Sequence, residues 1–82
     1  MPKIPRDISG RELARLLDKF GYKIVRETGS HIRLVSTYKE TEHKITIPDH
    51  QSIKIGTFNS ILHDISEYLK ISKQELTQEL FR

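Results

Sequence analysis

Apolar residues near the start of the chain recur with the spacing of an amphipathic α-helix. One stripe follows the i, i+3, i+4, i+7 pattern: Leu13, Leu16, Leu17 and Phe20. Ahead of the stripe, Ser9 and Glu12 stand three residues apart, like the N-cap and N3 residues of a capping box. Gly21 directly follows the stripe, at the position where many helices end. The pattern therefore predicts a first helix between Ser9 and Gly21.

The next part of the chain alternates between apolar and polar residues, which is typical of β-strands with one buried face. Three runs show the alternation: residues 22–26, 30–36 and 43–47. Between the first two, Glu27-Thr28-Gly29 indicates a three-residue hairpin connection in which Gly29 takes a positive φ. These runs predict a three-stranded antiparallel sheet. We expect its inner face to carry five apolar side chains: Ile24, Ile32, Leu34, Ile45 and Ile47.

Two more helical patterns complete the chain. Thr57 is the predicted N-cap of the second helix, whose apolar stripe has five members: Phe58, Ile61, Leu62, Ile65 and Leu69. A second capping box, from Ser72 to Glu75, begins a short third helix. The predicted fold class is α+β, in a single domain of residues 1–82 with the order α-β-β-β-α plus a short C-terminal helix. The helices are expected to cover one face of the antiparallel sheet.

The opposite face of the predicted sheet is basic and contains one imidazole. It is expected to carry Lys23, Val25, His31, Arg33, Val35, Lys44 and Thr46. The charge is uneven along the chain, because residues 1–40 sum to +4 and residues 41–82 to −1, for a net charge of +3. A basic half of a domain favours a polyanionic partner, although solubilising surface charge alone is the simpler explanation of the excess.

Several classes of function are disfavoured. The chain has no Cys, which excludes disulfides and thiolate metal sites and fits a reducing compartment. Neither a run of the roughly 20 apolar residues that span a bilayer nor a signal peptide is present, so we expect a cytoplasmic protein without a membrane partner. His43, His50 and His63 lack metal-ligand spacing, and nucleotide-binding glycine motifs are absent. We therefore expect no metal and no small-molecule cofactor.

The basic face with its imidazole is suited to RNA chemistry. RNA carries its own nucleophile, the 2′-OH, so cleavage requires a base, an acid and positive charge but no metal. His31 can carry a proton near neutral pH, although a solvent-facing histidine often has no such role. The second proton carrier is open: His50, a substrate group or water. The candidate RNA contacts are Lys23, Arg33, Lys44, His50 and Lys54. Lys54 precedes the second helix, where backbone N–H groups can hold a phosphate, and a plain loop lysine is an equal alternative.

Five stretches carry a family resemblance: residues 9–13, 29–31, 45–48 with His50, 56–62 and 72–76. In this order they resemble the HicA (YcfA-like) family, the small toxins of HicA–HicB toxin–antitoxin pairs. The resemblance implies a double-stranded-RNA-binding-domain-like fold and an mRNA interferase, an endoribonuclease that cleaves mRNA without a metal and arrests translation. It also implies that His31, in the Gly-Ser-His motif, is catalytic and that a HicB-like antitoxin covers this site. Many relatives carry a second His directly after the motif, whereas Ile32 and Arg33 follow here.

The sequence thus supports one main hypothesis and two alternatives. The main one is a metal-independent endoribonuclease that acts as the toxin of a type II system, with His31 as general acid or base. The first alternative is a non-catalytic RNA-binding module that uses the same sheet face. The second is a protein-interaction domain whose basic face serves only a partner protein.

Overall fold

A computed structural model of the chain, which describes residues 7–81, contains the predicted order of helices and strands. The helices are α1 (Gly10–Leu16), α2 (Ile55–Leu69) and α3 (Lys73–Leu80). The strands are β1 (Lys23–Thr28), β2 (His31–Ser36) and β3 (His43–Pro48). They form one antiparallel sheet in the order β1-β2-β3, with β2 in the centre. The α+β prediction is confirmed, and the arrangement is compatible with the double-stranded-RNA-binding-domain-like fold that the resemblance implies.

The start of α1 has the predicted capping box. The Ser9 hydroxyl accepts the backbone N–H of Glu12 at 3.0 Å, and the Glu12 carboxylate accepts the backbone N–H of Ser9 at 3.2 Å. Beyond Leu16 the helix tightens into a 3₁₀ segment, Leu17–Phe20, which ends at Gly21 with a φ of 78°. A positive φ costs glycine nothing because it has no Cβ, so Gly21 turns the chain directly into β1.

The hydrophobic core lies between the helices and one face of the sheet. Ile32, Leu34, Ile45 and Ile47 are buried there together with the apolar stripes of all three helices. The residues between them on β2 and β3 are exposed or half-buried, so within residues 7–81 the second face of the sheet is left uncovered. The alternation of apolar and polar residues in these two strands was therefore read correctly from the sequence.

Strand β1 departs from the prediction for Ile24, which was expected in the core and is 45% exposed. All six residues of β1 are exposed, because the helices pack on β2 and β3 and leave this edge strand uncovered. Ile24 still pairs with the buried Leu34, so it points toward the helix side of the sheet but lies at its open rim. Tyr22, one residue before β1, is the core residue of this segment.

The hairpin between β1 and β2 is shorter than predicted. Thr28 pairs with His31, which leaves a two-residue loop, Gly29-Ser30, in place of the expected three residues. Gly29 has the predicted positive φ, 51°, and is the first of the two loop residues. A positive φ at the first position alone is the pattern of a type II′ turn, whose twist matches that of the flanking strands.

Helix α2 begins earlier than predicted, with Lys54 and not Thr57 as its N-cap. The buried Ile53 donates its backbone N–H to the carbonyl of Ile8, which anchors the chain immediately before the helix. The first helical turn then closes from Phe58 onto the Lys54 carbonyl at 2.9 Å. Helix α3 has the predicted N-cap, since Ser72 accepts the backbone N–H of Glu75. Within residues 7–81, no helix is long and apolar enough to cross a membrane.

Candidate nucleic-acid interface

His31 lies at the start of β2, directly after the hairpin turn, and its side chain is exposed. The next residues of the alternation decide its orientation, because Ile32 and Leu34 are buried under the helices. Since successive side chains of a strand point to opposite faces, His31 points away from the helices, onto the uncovered face of the sheet.

A cavity of about 520 Å³ surrounds the imidazole on this face. It is lined by Arg26, Thr28, His31, Arg33 and Thr46. The strand register explains the set, because Thr28 lies opposite His31 while Arg26 and Thr46 lie on either side of Arg33. Directly opposed residues share a face of the sheet, so all three strands contribute to one site.

Arg26 and Thr28 are the lining residues that the sequence analysis missed, and Arg26 is the charged one. Simple alternation from the buried Tyr22 puts Arg26 on the helix side, whereas counting back from the Gly29-Ser30 turn puts it opposite Arg33. The structure satisfies both requirements with a β-bulge, in which Val25 is an additional residue between the pairs formed by Ile24 and Arg26. The count from the turn depends on the two-residue loop, which the structure shows and the predicted three-residue loop did not contain, so the sequence analysis had no signal for Arg26.

The carboxylates closest to the turn face away from His31. Glu27 lies opposite the buried Ile32 and is therefore on the helix side, where it forms an ion pair with Arg11 of α1. Arg11 also contacts Asp49, at 3.2 Å between Nη2 and Oδ2. These contacts, the hydrogen bond to Glu27 first, raise the pKa of Arg11 above its ordinary value. Both carboxylates thus share one guanidinium on the opposite face.

The cavity itself carries uncompensated positive charge. Among residues 7–81, neither Arg26 nor Arg33 has an ion pair or a side-chain hydrogen bond, and the same holds for His31. Two guanidinium groups opposite each other repel, which costs some stability unless an anion binds between them. The arrangement is suited to holding a phosphate group beside an imidazole.

The other predicted RNA contacts lie outside this cavity. Lys23 forms an ion pair with Asp18 and lines a separate groove of about 390 Å³ beside α1. Lys44 lies on the same face as His31 but nearer the far end of β3, with its ammonium group 3.7 Å from the Glu42 carboxylate. Lys54 is exposed at the start of α2.

His50, the predicted second proton carrier, is exposed two residues beyond the end of β3. Pro48 pairs with His31, and the Asp49 N–H continues the pairing with a 2.7 Å bond to the Ser30 carbonyl. Because the chain runs alongside the hairpin turn at this point, His50 lies beyond the turn. It does not line the His31 cavity, so its role stays a prediction.

His43 and His63 belong to other surroundings. The Tyr22 hydroxyl and Nδ1 of His43 are hydrogen-bonded over 2.6 Å, and Nε2 of His43 faces Asp64 at 3.5 Å. Burial raises the pKa of Tyr22. His63 forms an i, i+4 pair with Glu67 on α2, at 2.9 Å. In the part of the chain that the structure describes, no three His, Asp or Glu side chains are grouped to hold a metal ion.

Comparison with known proteins gives one match. The model of a family described as "HicA toxin of bacterial toxin-antitoxin" matches residues 10–66. The matched segment begins at the first residue of α1, ends within α2 and contains every residue that lines the His31 cavity. No curated protein matches the chain, and neither does any solved structure.

Proposed function

Since the chain belongs to the HicA family of bacterial toxin–antitoxin toxins, we propose that it is an endoribonuclease that cleaves mRNA and arrests translation. In this proposal His31 is the general base or acid, and the cleavage requires no metal. The family supplies the role as a toxin with an antitoxin as its partner. The nuclease reaction and its residues are argued from the cavity.

The observation that carries the proposal is an exposed imidazole beside two guanidinium groups that have no ion pair within residues 7–81, in a cavity whose described lining contains no carboxylate. The positive charge attracts the RNA backbone, and the imidazole can exchange a proton near neutral pH. A negatively charged neighbour would repel the phosphate. Instead, Arg11 on the helix side holds Glu27 and Asp49 away from the cavity.

The reaction balances with RNA and water alone. His31 takes the proton of a ribose 2′-OH, and the oxygen attacks the adjacent phosphorus to form the 2′-O–P bond. The P–O5′ bond breaks, and the leaving 5′-oxygen receives a proton from an acid, for which His50 or water is the candidate. The products are a 2′,3′-cyclic phosphate and a free 5′-hydroxyl. Charge that develops on the phosphoryl oxygens is stabilised by the nearby cations.

The proposal extends to the partner and the compartment. A HicB-like antitoxin that covers the uncovered sheet face would exclude RNA from His31 and from both arginines at once. Cellular mRNA as substrate places the reaction in the cytoplasm. Lys23, Lys44 and Lys54 would act at a distance from the cleaved bond, as contacts to neighbouring phosphates of the same strand.

One observation favours the alternative of a non-catalytic RNA-binding module. Besides His31, the cavity is lined only by arginines and threonines, none of which is a good proton donor at neutral pH. A site of this composition would bind RNA phosphates even if no bond were cleaved. The cleavage assay therefore decides between the two functions.

The test is incubation of the purified chain with mRNA in the presence of EDTA. We expect cleavage by the wild type, and a rate about 10²–10⁴ lower for His31→Ala, with RNA affinity changed only slightly. His63→Ala is the matched control, because His63 is also exposed but lies on α2. Salt-sensitive binding without cleavage by the wild type would support the RNA-binding module. Absence of RNA affinity would refute both and leave the protein-interaction domain.

A further inference from the structure

We propose that Arg26 is a second catalytic residue, which together with Arg33 binds the scissile phosphate and stabilises the charge on the phosphorane. This inference rests on the proposed nuclease function and deepens it. The sequence pattern alone puts Arg26 on the helix side of the sheet, and the bulge at Val25 places it on the same face as His31.

The first argument is the position of the two guanidinium groups. Arg26 and Arg33 are directly paired across β1 and β2. In an antiparallel sheet the Cβ atoms of such a pair are about 4.5–5.5 Å apart. Their forked side chains can therefore approach the same anion from neighbouring strands, and each can donate two parallel N–H bonds to phosphate oxygens.

The second argument is the relation of this pair to the imidazole. His31 is two residues from Arg33 along β2, which is a distance of about 7 Å between Cα atoms. The three side chains line one cavity. Side chains of this length can converge from such a spacing on one ribose and its own 3′-phosphate, so His31 can meet the 2′-OH while the arginines hold the phosphoryl oxygens.

The third argument is the absence of any competing role. Within residues 7–81, three other exposed cations near the sheet have carboxylate partners: Arg11, Lys23 and Lys44. Arg26 has none and contributes nothing to the core, since β1 is exposed throughout. An unpaired arginine that faces another arginine weakens the sheet slightly, and a bound phosphate converts this repulsion into affinity.

The test compares Arg26→Ala and Arg26→Lys with Arg15→Ala, a matched control, because Arg15 is exposed on α1 and lines the separate groove. Under single-turnover conditions we expect Arg26→Ala to lower the cleavage rate constant about 10²–10³-fold, as the loss of one transition-state donor does. The KM should rise only a few-fold. Arg26→Lys should recover binding but not the full rate, because a lysine cannot form the bidentate contact. Arg15→Ala should stay within about three-fold of the wild type.

A phosphorothioate substrate provides a readout that a merely structural role would not change. Replacing one non-bridging oxygen at the cleaved bond by sulfur should slow the wild type, because sulfur is a poorer acceptor for a guanidinium donor. Arg26→Ala should show a smaller ratio of phosphate to phosphorothioate rates. Equal ratios for both chains, or a rate for Arg26→Ala within three-fold of the wild type while His31→Ala is inactive, would overturn this inference and leave the proposed function intact. If the wild type itself fails to cleave RNA, the proposed function fails first.

Discussion

Gly10 at the first residue of α1 lies against the carbonyl group of Pro48 at the last residue of β3. A Cβ on Gly10 would stand 2.1 Å from that oxygen, which is far inside the van der Waals limit. The backbone N–H of Gly10 also donates to the carbonyl of His50 at 3.0 Å. Because Pro48 pairs with His31, this contact fixes the helix to the strand end that borders the candidate site.

The first prediction is that Gly10→Ala destabilises the fold. The added methyl group must displace backbone and not a flexible side chain, so the free energy of unfolding should fall by about 1–3 kcal/mol or more. Urea denaturation of the purified chains measures the change. Gly56→Ala is the control, since Gly56 lies in α2 with open space around it and should gain up to about 1 kcal/mol. An equal change in the free energy of unfolding for Gly10→Ala and Gly56→Ala would contradict the close approach of Gly10 to Pro48.

The second prediction concerns the hydrogen bond between Tyr22 and His43. Tyr22→Phe removes the hydroxyl that is hydrogen-bonded to Nδ1 over 2.6 Å and leaves this half-buried nitrogen without that partner. We expect the free energy of unfolding to fall by about 1–2 kcal/mol. Tyr38→Phe, at a ring that is 58% exposed, should change it by less than about 0.5 kcal/mol. The same denaturation experiment compares them, and an effect of Tyr22→Phe no larger than that of Tyr38→Phe would show that the bond is unimportant.

The third prediction is a loss of stability in alkali that depends on Tyr22. Burial, followed by the nearby Tyr68 and Asp64, raises the pKa of Tyr22 in the folded chain. A folded pKa above the unfolded value of about 10 means that the stabilisation is complete below this pH and is lost as the pH rises above it. The loss from this group approaches about 1.4 kcal/mol per pH unit. The free energy of unfolding, measured by denaturation at several pH values between roughly pH 8 and pH 11, should fall more steeply with pH for the wild type than for Tyr22→Phe. An equal pH dependence of the free energy of unfolding in the two chains would refute the raised pKa of Tyr22.

The fourth prediction ranks the basic residues by their effect on RNA binding. Arg33 has no carboxylate partner among residues 7–81, Lys44 is 3.7 Å from Glu42, and Lys23 is paired with Asp18. A cation already neutralised by a carboxylate releases fewer counterions when RNA binds. The slope of log affinity against log salt should therefore decrease by about 0.7 for Arg33→Ala, less for Lys44→Ala and least for Lys23→Ala. RNA-binding titrations at several salt concentrations measure the slopes. The reverse order would argue against the cavity as the centre of the interface.

Local signals in the sequence predicted most of the secondary structure. The capping box at Ser9 and the N-cap at Ser72 involve hydrogen bonds within one helical turn, so neighbouring residues decide them. The alternation in β2 likewise determined that Ile32 is buried and His31 exposed. The prediction of Thr57 as the N-cap of α2 was wrong. The chain is anchored just before this helix by a backbone hydrogen bond between Ile53 and Ile8, which are far apart in the sequence.

The sequence by itself determined the element order, the amphipathic stripes and the face on which His31 lies, because each depends on residues close together in the chain. Tertiary structure decided the exposure of Ile24, the close approach of Gly10 to Pro48 and the neighbours of His31. Arg26 lies in the site because the alternation of β1 changes at the bulge. The hairpin turn decides which side chains face the cavity at the end of β1, whereas the buried Tyr22 decides the alternation at its start. Strand register and helix coverage join residues that are far apart in the chain, and short-range periodicity contains no information about either.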